Sequence, residues 1–253
     1  MHRGFVRAFG ALCLPLLATA MLGAQVRVQA AAPAYELVDV SPTSGHAAAF
    51  GVNNAGQVVG GGAGGQGFIW SEAGSTILKS IPRDSASIAV AVNANGLVVG
   101  QSRGALPRAI QWKKGKPKLL GKLAGLPISL AETINARGQA VGWASNESGG
   151  LWPVLWSGGH AKKLRTLPGS TWSGAHAINN QGQIVGYSEV GGIAHGVQWE
   201  GKRFTDLGLL PGYPESSATA LNEVGQIVGC AQDGARGKAI LWQDGQDVFH
   251  AFQ

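Results

Sequence analysis

Few residues of this 253-residue sequence have types and spacing that could do chemistry, and those few suit recognition better than reaction. Glu132, His176 and Thr219 share one repeated position, three residues before an asparagine that recurs along the chain; Phe50 and Val90 hold it in the first two copies. A carboxylate, an imidazole and a hydroxyl beside an apolar wall are what a small-molecule pocket requires. The wall would be the position just before the asparagine, which stays apolar as Val52, Val92, Ile134, Ile178 and Leu221. A position serving packing alone would repeat in kind, as alanine does one residue earlier (Ala49, Ala89, Ala131, Ala175, Ala218). The unlike set therefore marks Glu132, His176 and Thr219 as candidate ligand-binding residues. Trp152, Trp172 and Tyr213 fall in the connecting segments and could stack on a sugar or a protein partner. The plain alternative is that all six only fill uneven gaps.

Reaction chemistry finds less support. Hydrolysis of a glycosidic bond needs two carboxylates roughly 5–10 Å apart, and Glu132 is the one carboxylate in its strand position in any repeat. No Gly-x-Ser-x-Gly elbow, His-Glu-x-x-His pair, Walker loop or dinucleotide fingerprint is present. GGGAGGQG (60–67) lacks the Gly-Lys-Ser/Thr ending of a phosphate cradle and reads as a loop between strands. His46, His160, His176, His195 and His250 show no spacing that gathers metal ligands. The expectation is no catalysis, no metal and no cofactor.

The elements that position these residues are five repeats. Val52-Asn53-Asn54-Ala55-Gly56-Gln57-Val58-Val59-Gly60 returns with Asn93, Asn135, Asn179 and Asn222 in place of Asn53, at intervals of 40, 42, 44 and 43. A second motif ends in Trp70, Trp112, Trp156, Trp199 and Trp242, at intervals of 42, 44, 43 and 43. Each unit resolves into four short strands. The first runs into the asparagine. An Asn-x-x-Gly turn follows, with glycine at positive φ. The second strand is β-branched, as in Gln183-Ile184-Val185-Gly186; the third ends in the tryptophan, and the fourth is a segment such as Phe204-Thr205-Asp206-Leu207. Four strands in about 43 residues is the unit of a β-propeller blade, so the predicted fold is all-β, a propeller of five four-stranded blades. Alanine at the repeated position makes the first strand the innermost one. The asparagines read as turn residues and the tryptophans as packing between blades. At the chain ends, Tyr35–Val40 resembles a fourth strand, with Asp39 matching Asp206, and Asp247–Phe252 is another candidate. One of them could complete a blade begun at the other end and close a ring; an open stack of repeats is the alternative.

Composition agrees. Forty glycines argue against long helices, and 45% hydrophobic residues argue against wholesale disorder. Residues 1–30 read as a signal peptide: Arg3 and Arg7, an uncharged apolar run, then Val28-Gln29-Ala30 before a cut at Ala31. Its removal leaves 17 basic against 14 acidic residues. That balance argues against a nucleic-acid partner, and no second apolar stretch predicts a membrane span. Lys113, Lys114, Lys116, Lys118 and Lys122 read as a solvated outer strand and turn. Cys230 alone remains of the two cysteines, so no internal disulfide is expected.

The units, with A-x-x-I-N-x-x-G-Q-I-V-G, then His195-Gly196-Val197 leading to Trp199, then Asp206-Leu207-Gly208-Leu209-Leu210-Pro211-Gly212, resemble the HAF-repeat family of exported bacterial proteins. Gln66, Arg108, Trp152 and Lys238 replace the family's histidine in the other units, and Pro211 replaces a glycine. The resemblance covers the mature chain (31–253). It implies export, to the periplasm or beyond, and a β-repeat fold, and it brings no catalytic residues. The combined expectation is a monomeric exported propeller that binds a glycan or an extracytoplasmic protein. Two alternatives are a structural protein of the envelope or matrix and a carbohydrate-active hydrolase. Recognition is expected in the variable connections at 145–150, 188–194 and 210–217.

Overall fold

The computed structural model describes residues 36–43 and 45–243; the leader, its cleavage point and the candidate strand Asp247–Phe252 lie outside the described residues. The chain is an all-β propeller of five blades, each an antiparallel meander. Blade 1 comprises β1 (Ala48–Val52), β2 (Val58–Gly61), β3 (Gly67–Ser71) and β4 (Gly74–Ile77). Blade 2 comprises β5 (Ala86–Val92), β6 (Val98–Arg103), β7 (Arg108–Lys113) and β8 (Lys116–Leu119). Blade 3 comprises β9 (Ile128–Ile134), β10 (Ala140–Ser145), β11 (Leu151–Ser157) and β12 (His160–Lys163). Blade 4 comprises β13 (Trp172–Ile178), β14 (Gln183–Val190), β15 (Ile193–Glu200) and β16 (Arg203–Asp206). Blade 5 shows β17 (Glu215–Leu221), β18 (Ile227–Gln232) and β19 (Gly237–Trp242) among the described residues. A single parallel bridge, Leu151 to Trp172, links blades 3 and 4. Among the described residues no helix is long and apolar enough to cross a membrane.

Every first strand carries a β-bulge at the residue three before the asparagine. Ala175 pairs with Gly186 and Ala177 with Val185, so His176 has no partner of its own; Phe50, Val90, Glu132 and Thr219 are skipped in the same way. The bulge drives the preceding carbonyl against the second strand. A Cβ on Gly186 would meet the Gly174 carbonyl oxygen at 2.0 Å, and the equivalent glycine of every blade faces the same clash. That glycine recurs because only hydrogen fits, and the bulge re-aims the side chain at the residue it inserts.

The apolar core is divided among the junctions between blades. Val59 and Leu78 of blade 1 pack on Ala89, Val98 and Trp112 of blade 2, and three further clusters of the same kind join blades 2–3, 3–4 and 4–5. Polar staples repeat with them. The Asn53 amide donates to the Asn93 carbonyl oxygen at 2.9 Å, Asn93 to Asn135 at 2.9 Å, Asn135 to Asn179 at 3.0 Å and Asn179 to Asn222 at 3.1 Å. In the same blade each Asn Oδ1 accepts the N–H four residues on, in blade 3 from Gln139 at 3.0 Å, so one side chain shapes the turn and ties the next blade. The indoles of Trp112, Trp156, Trp199 and Trp242 donate backward to the Lys79, Gly121, Arg165 and Leu207 carbonyls.

The fifth junction is not built this way. Val59, Val99, Val141 and Val185 are completely buried, whereas their counterpart Val228 is 44% exposed. Across the gap, Ala49 and Val52 of blade 1 are exposed where their counterparts in blades 2 to 4 are wholly or mostly covered. Among the described residues the Asn222 amide donates to Gln226 alone, and Trp70 donates to no carbonyl. The expected closure between blade 5 and blade 1 is therefore absent from the described residues. The expected strand at 35–40 also differs: Glu36–Val40 are in no strand. Val40 instead accepts a hydrogen bond from Ser75 of β4 at 2.6 Å. The likeness of Asp39 to Asp206 lies in the turn that follows, since each carboxylate accepts the N–H two residues on, from Ser41 and from Gly208, both at 2.9 Å.

Candidate functional site

The bulges on β9 and β13 place Glu132 and His176 on neighbouring inner strands, and their side chains meet: Glu132 Oε2 lies 2.8 Å from His176 Nδ1. A carboxylate only accepts, so Nδ1 carries the proton of this contact and Nε2 is left for another partner. The side chains retain 22% and 29% exposure, enough for a ligand to reach them. Below them Thr133 donates to the His176 carbonyl oxygen at 3.2 Å, which ties the two strands together.

Tyr187 completes the group. Its ring stacks on His176 with centroids 5.3 Å apart and planes 27° from parallel. It can do so because Gly174 lies opposite on β13, where a Cβ would approach the Tyr187 ring to 3.0 Å. Burial pushes the Tyr187 hydroxyl far above its ordinary pKa. The Glu132 charge adds to this, a hydrogen bond with Trp172 opposes it, and Glu189 adds a smaller push. The phenol is therefore neutral and available as a donor. Glu132, His176, Tyr187 and Trp172 thus form one polar niche with two aromatic walls, contributed by blades 3 and 4.

Trp152 lies near this group but faces elsewhere. The Leu151–Trp172 bridge brings β11 and β13 side by side at this point, yet the Trp152 ring sits under the Lys163 ammonium, 4.6 Å from its centroid. Thr219 is exposed on β17 and bonds Val228 of its own blade at 3.2 Å. Tyr213 packs on the core between blades 4 and 5, with Arg236 5.7 Å above its ring. The structure joins Glu132, His176 and Trp172, and sets Trp152, Thr219 and Tyr213 apart from them. Tyr187 escaped the sequence reading, although a signal existed: the residue after the second-strand glycine also varies without pattern, as Gly61, Gln101, Trp143, Tyr187 and Cys230.

Two other features are structural in character. His195 Nδ1 lies 2.9 Å from Asp206 Oδ2, an exposed pair joining the third and fourth strands of blade 4. A shallow cleft of about 500 Å³ opens between the asparagine turns of blades 1 and 2, lined by Gln57, Glu72 and Asn95, without convergent charges or aromatic rings. Among the described residues no three His, Cys, Asp or Glu side chains are gathered to hold a metal.

Comparison with known proteins agrees on fold. No family model matches the chain, and no curated protein matches it. Among solved structures it is similar to a putative TolB from Agrobacterium tumefaciens, with a TM-score of 0.58 at 12% identity over 78% of this chain and 76% of that one. TolB from Acinetobacter baumannii gives 0.53 at 12% identity, over 78% of this chain and 52% of that one. A puromycin hydrolase S511A mutant complexed with PGG gives 0.56 at 13% identity; this chain spans 40% of it and is itself 84% covered. Identities this low speak for the shared fold.

Proposed function

We propose that the chain is an exported binding propeller, kin to the HAF-repeat proteins, that recognises a glycan through the niche between blades 3 and 4. The observation that carries this reading is the Glu132–His176 pair stacked on Tyr187. It sets a carboxylate acceptor, an imidazole ring nitrogen and a phenolic donor beside aromatic faces, and a sugar offers hydroxyls to the first three and a C–H face to the last. The leader-like residues 1–30 support export, to the periplasm or beyond. The test is a glycan array on the exported protein, followed by calorimetric titration of Glu132→Gln and His176→Ala with the best glycan. Both variants should weaken binding at least about tenfold, the loss of one charge-assisted hydrogen bond. Wild-type affinity in both, with loss in Trp152→Ala, would move the site to the rim.

A hydrolase reading has one observation in its favour. Glu189 follows Tyr187 by two residues on β14 and so shares its face, while Glu132 bonds the His176 ring on which Tyr187 stacks. Turnover of a polysaccharide panel that vanishes in both Glu132→Gln and Glu189→Gln would establish it; no turnover removes it.

A further inference from the structure

Positive charge is gathered on one part of the molecule. Residues 85–188 contain eleven Lys and Arg against two acids, Glu132 and Glu147, whereas residues 189–253 contain eight acids against four Lys and Arg. The near-neutral total hides this division. In the fold, the lysines occupy the outer edges of blades 2 and 3. Lys113, Lys116 and Lys118 are exposed on β7 and β8, and Lys162 and Lys163 are exposed on β12. Lys122 lies on the segment between the two edges. Its neighbour Gly121 packs so closely on the β11–β12 turn that a Cβ there would stand 2.7 Å from the Gly159 carbonyl oxygen. The two edges are thus one continuous basic band.

Three observations set this band apart from an ordinary solvated edge. Lys113 and Lys116 are direct cross-strand partners, a like-charge pairing that opposes the hairpin. Lys114 takes a left-handed φ of 50° in the connecting turn, where Gly158 and Gly201 stand in blades 3 and 4. Among the described residues no lysine is within ion-pair distance of an acid. Protection of an exposed edge against pairing does not account for it either, since β4 of blade 1 reads Gly-Ser-Thr-Ile and β16 of blade 4 reads Arg-Phe-Thr-Asp. The repulsion and the left-handed lysine are retained in blade 2, and blade 3 extends the band with Lys162 and Lys163.

We infer that this band is a docking surface for an acidic polysaccharide, separate from the niche at Glu132. Charge complementarity requires a polyanion. Lysines outnumber arginines in the band, and point charges suit dispersed carboxylates better than the forked geometry that phosphate favours. Between Leu106 and Val190 no large hydrophobic side chain is exposed, so nothing there would insert into a membrane. Trp152 beneath Lys163 supplies an aromatic face at the end of the band against which a sugar ring can lie.

The probe is alginate, a polyuronate, titrated with the full exported protein at several salt concentrations. Neutral dextran, duplex DNA and anionic lipid vesicles are run beside it. Alginate should bind with affinity that falls steeply as salt rises, and dextran should not bind. The triple variant K116E/K118E/K122E should lose at least about tenfold in alginate affinity with an unchanged melting temperature. Glu132→Gln should leave alginate binding intact, which keeps this surface distinguishable from the proposed niche. Unchanged affinity in the triple variant overturns the inference. So does DNA or vesicle binding equal to alginate at the same salt, since the band would then attract any polyanion.

Discussion

The junction between blades 4 and 5 and the gap between blades 5 and 1 share the repeated asparagine and valine, yet among the described residues one is sealed and nothing bridges the other. In the sealed junction Val185 is completely buried against Ala218, and Asn179 and Trp242 each make a hydrogen bond across the boundary. In the gap, Val228 and Asn222 repeat Val185 and Asn179 letter for letter but make no such contact among the described residues. Local sequence therefore does not decide the environment of these positions; the presence of a facing blade does. A third difference is chemical. Ser87, Ser129 and Ser216 accept a backbone N–H from the preceding blade, at 3.2, 2.9 and 2.9 Å, and the corresponding residue of blade 1 is Ala47. Blade 1 lacks the side chain that seats a blade on its predecessor.

Paired substitutions can break this contrast. The largest effect is expected from an acid in the core: Val185→Asp should abolish soluble folded protein, because it buries an unpaired charge, while Val228→Asp should fold with a melting temperature close to wild type. Equal damage would mean that the gap is sealed in solution. Next, Trp199→Ala should cost about 3–5 kcal/mol in denaturant unfolding, and the half-buried Trp70 should cost clearly less. Asn179 ties the next blade from a buried site, whereas among the described residues the Asn222 side chain bonds only within its own exposed turn, so Asn179→Ala should exceed Asn222→Ala by about 1 kcal/mol. The smallest effect is a test by addition. Ala47→Ser should leave the melting temperature unchanged, and a rise would show a blade 5 N–H waiting to be accepted.

How much of this was legible in the sequence follows from what kind of physics each part obeys. The five blades, the asparagine turns and the tryptophans between blades are short-range patterns repeated five times, and repetition makes a weak local preference plain. The bulge is not visible as a pattern, because a bulge changes register without requiring any one side chain. Its trace is indirect: the glycine of the second strand, as at Gly186, and the unlike residues opposite it. Glu132 and His176 were found through that trace, whereas Tyr187 sits on a different strand and required the fold to bring it near. The exposure of Val228 had no signal in Val228 or Asn222 themselves; Ala47 in place of serine was the letter that differed. Asp39 misled because a turn that caps its own backbone looks the same after a strand as after a coil.

The four described junctions also bear on the order in which this chain can assemble. Here the described staples between blades join asparagines 40 to 44 residues apart. Each of these four cores can form as soon as the next blade has emerged. Loop closures of that length are modest, and rates of folding follow how local the contacts are. A chain arriving from its N-terminus, at a ribosome or through a membrane pore, can thus add blades 1 to 5 in turn.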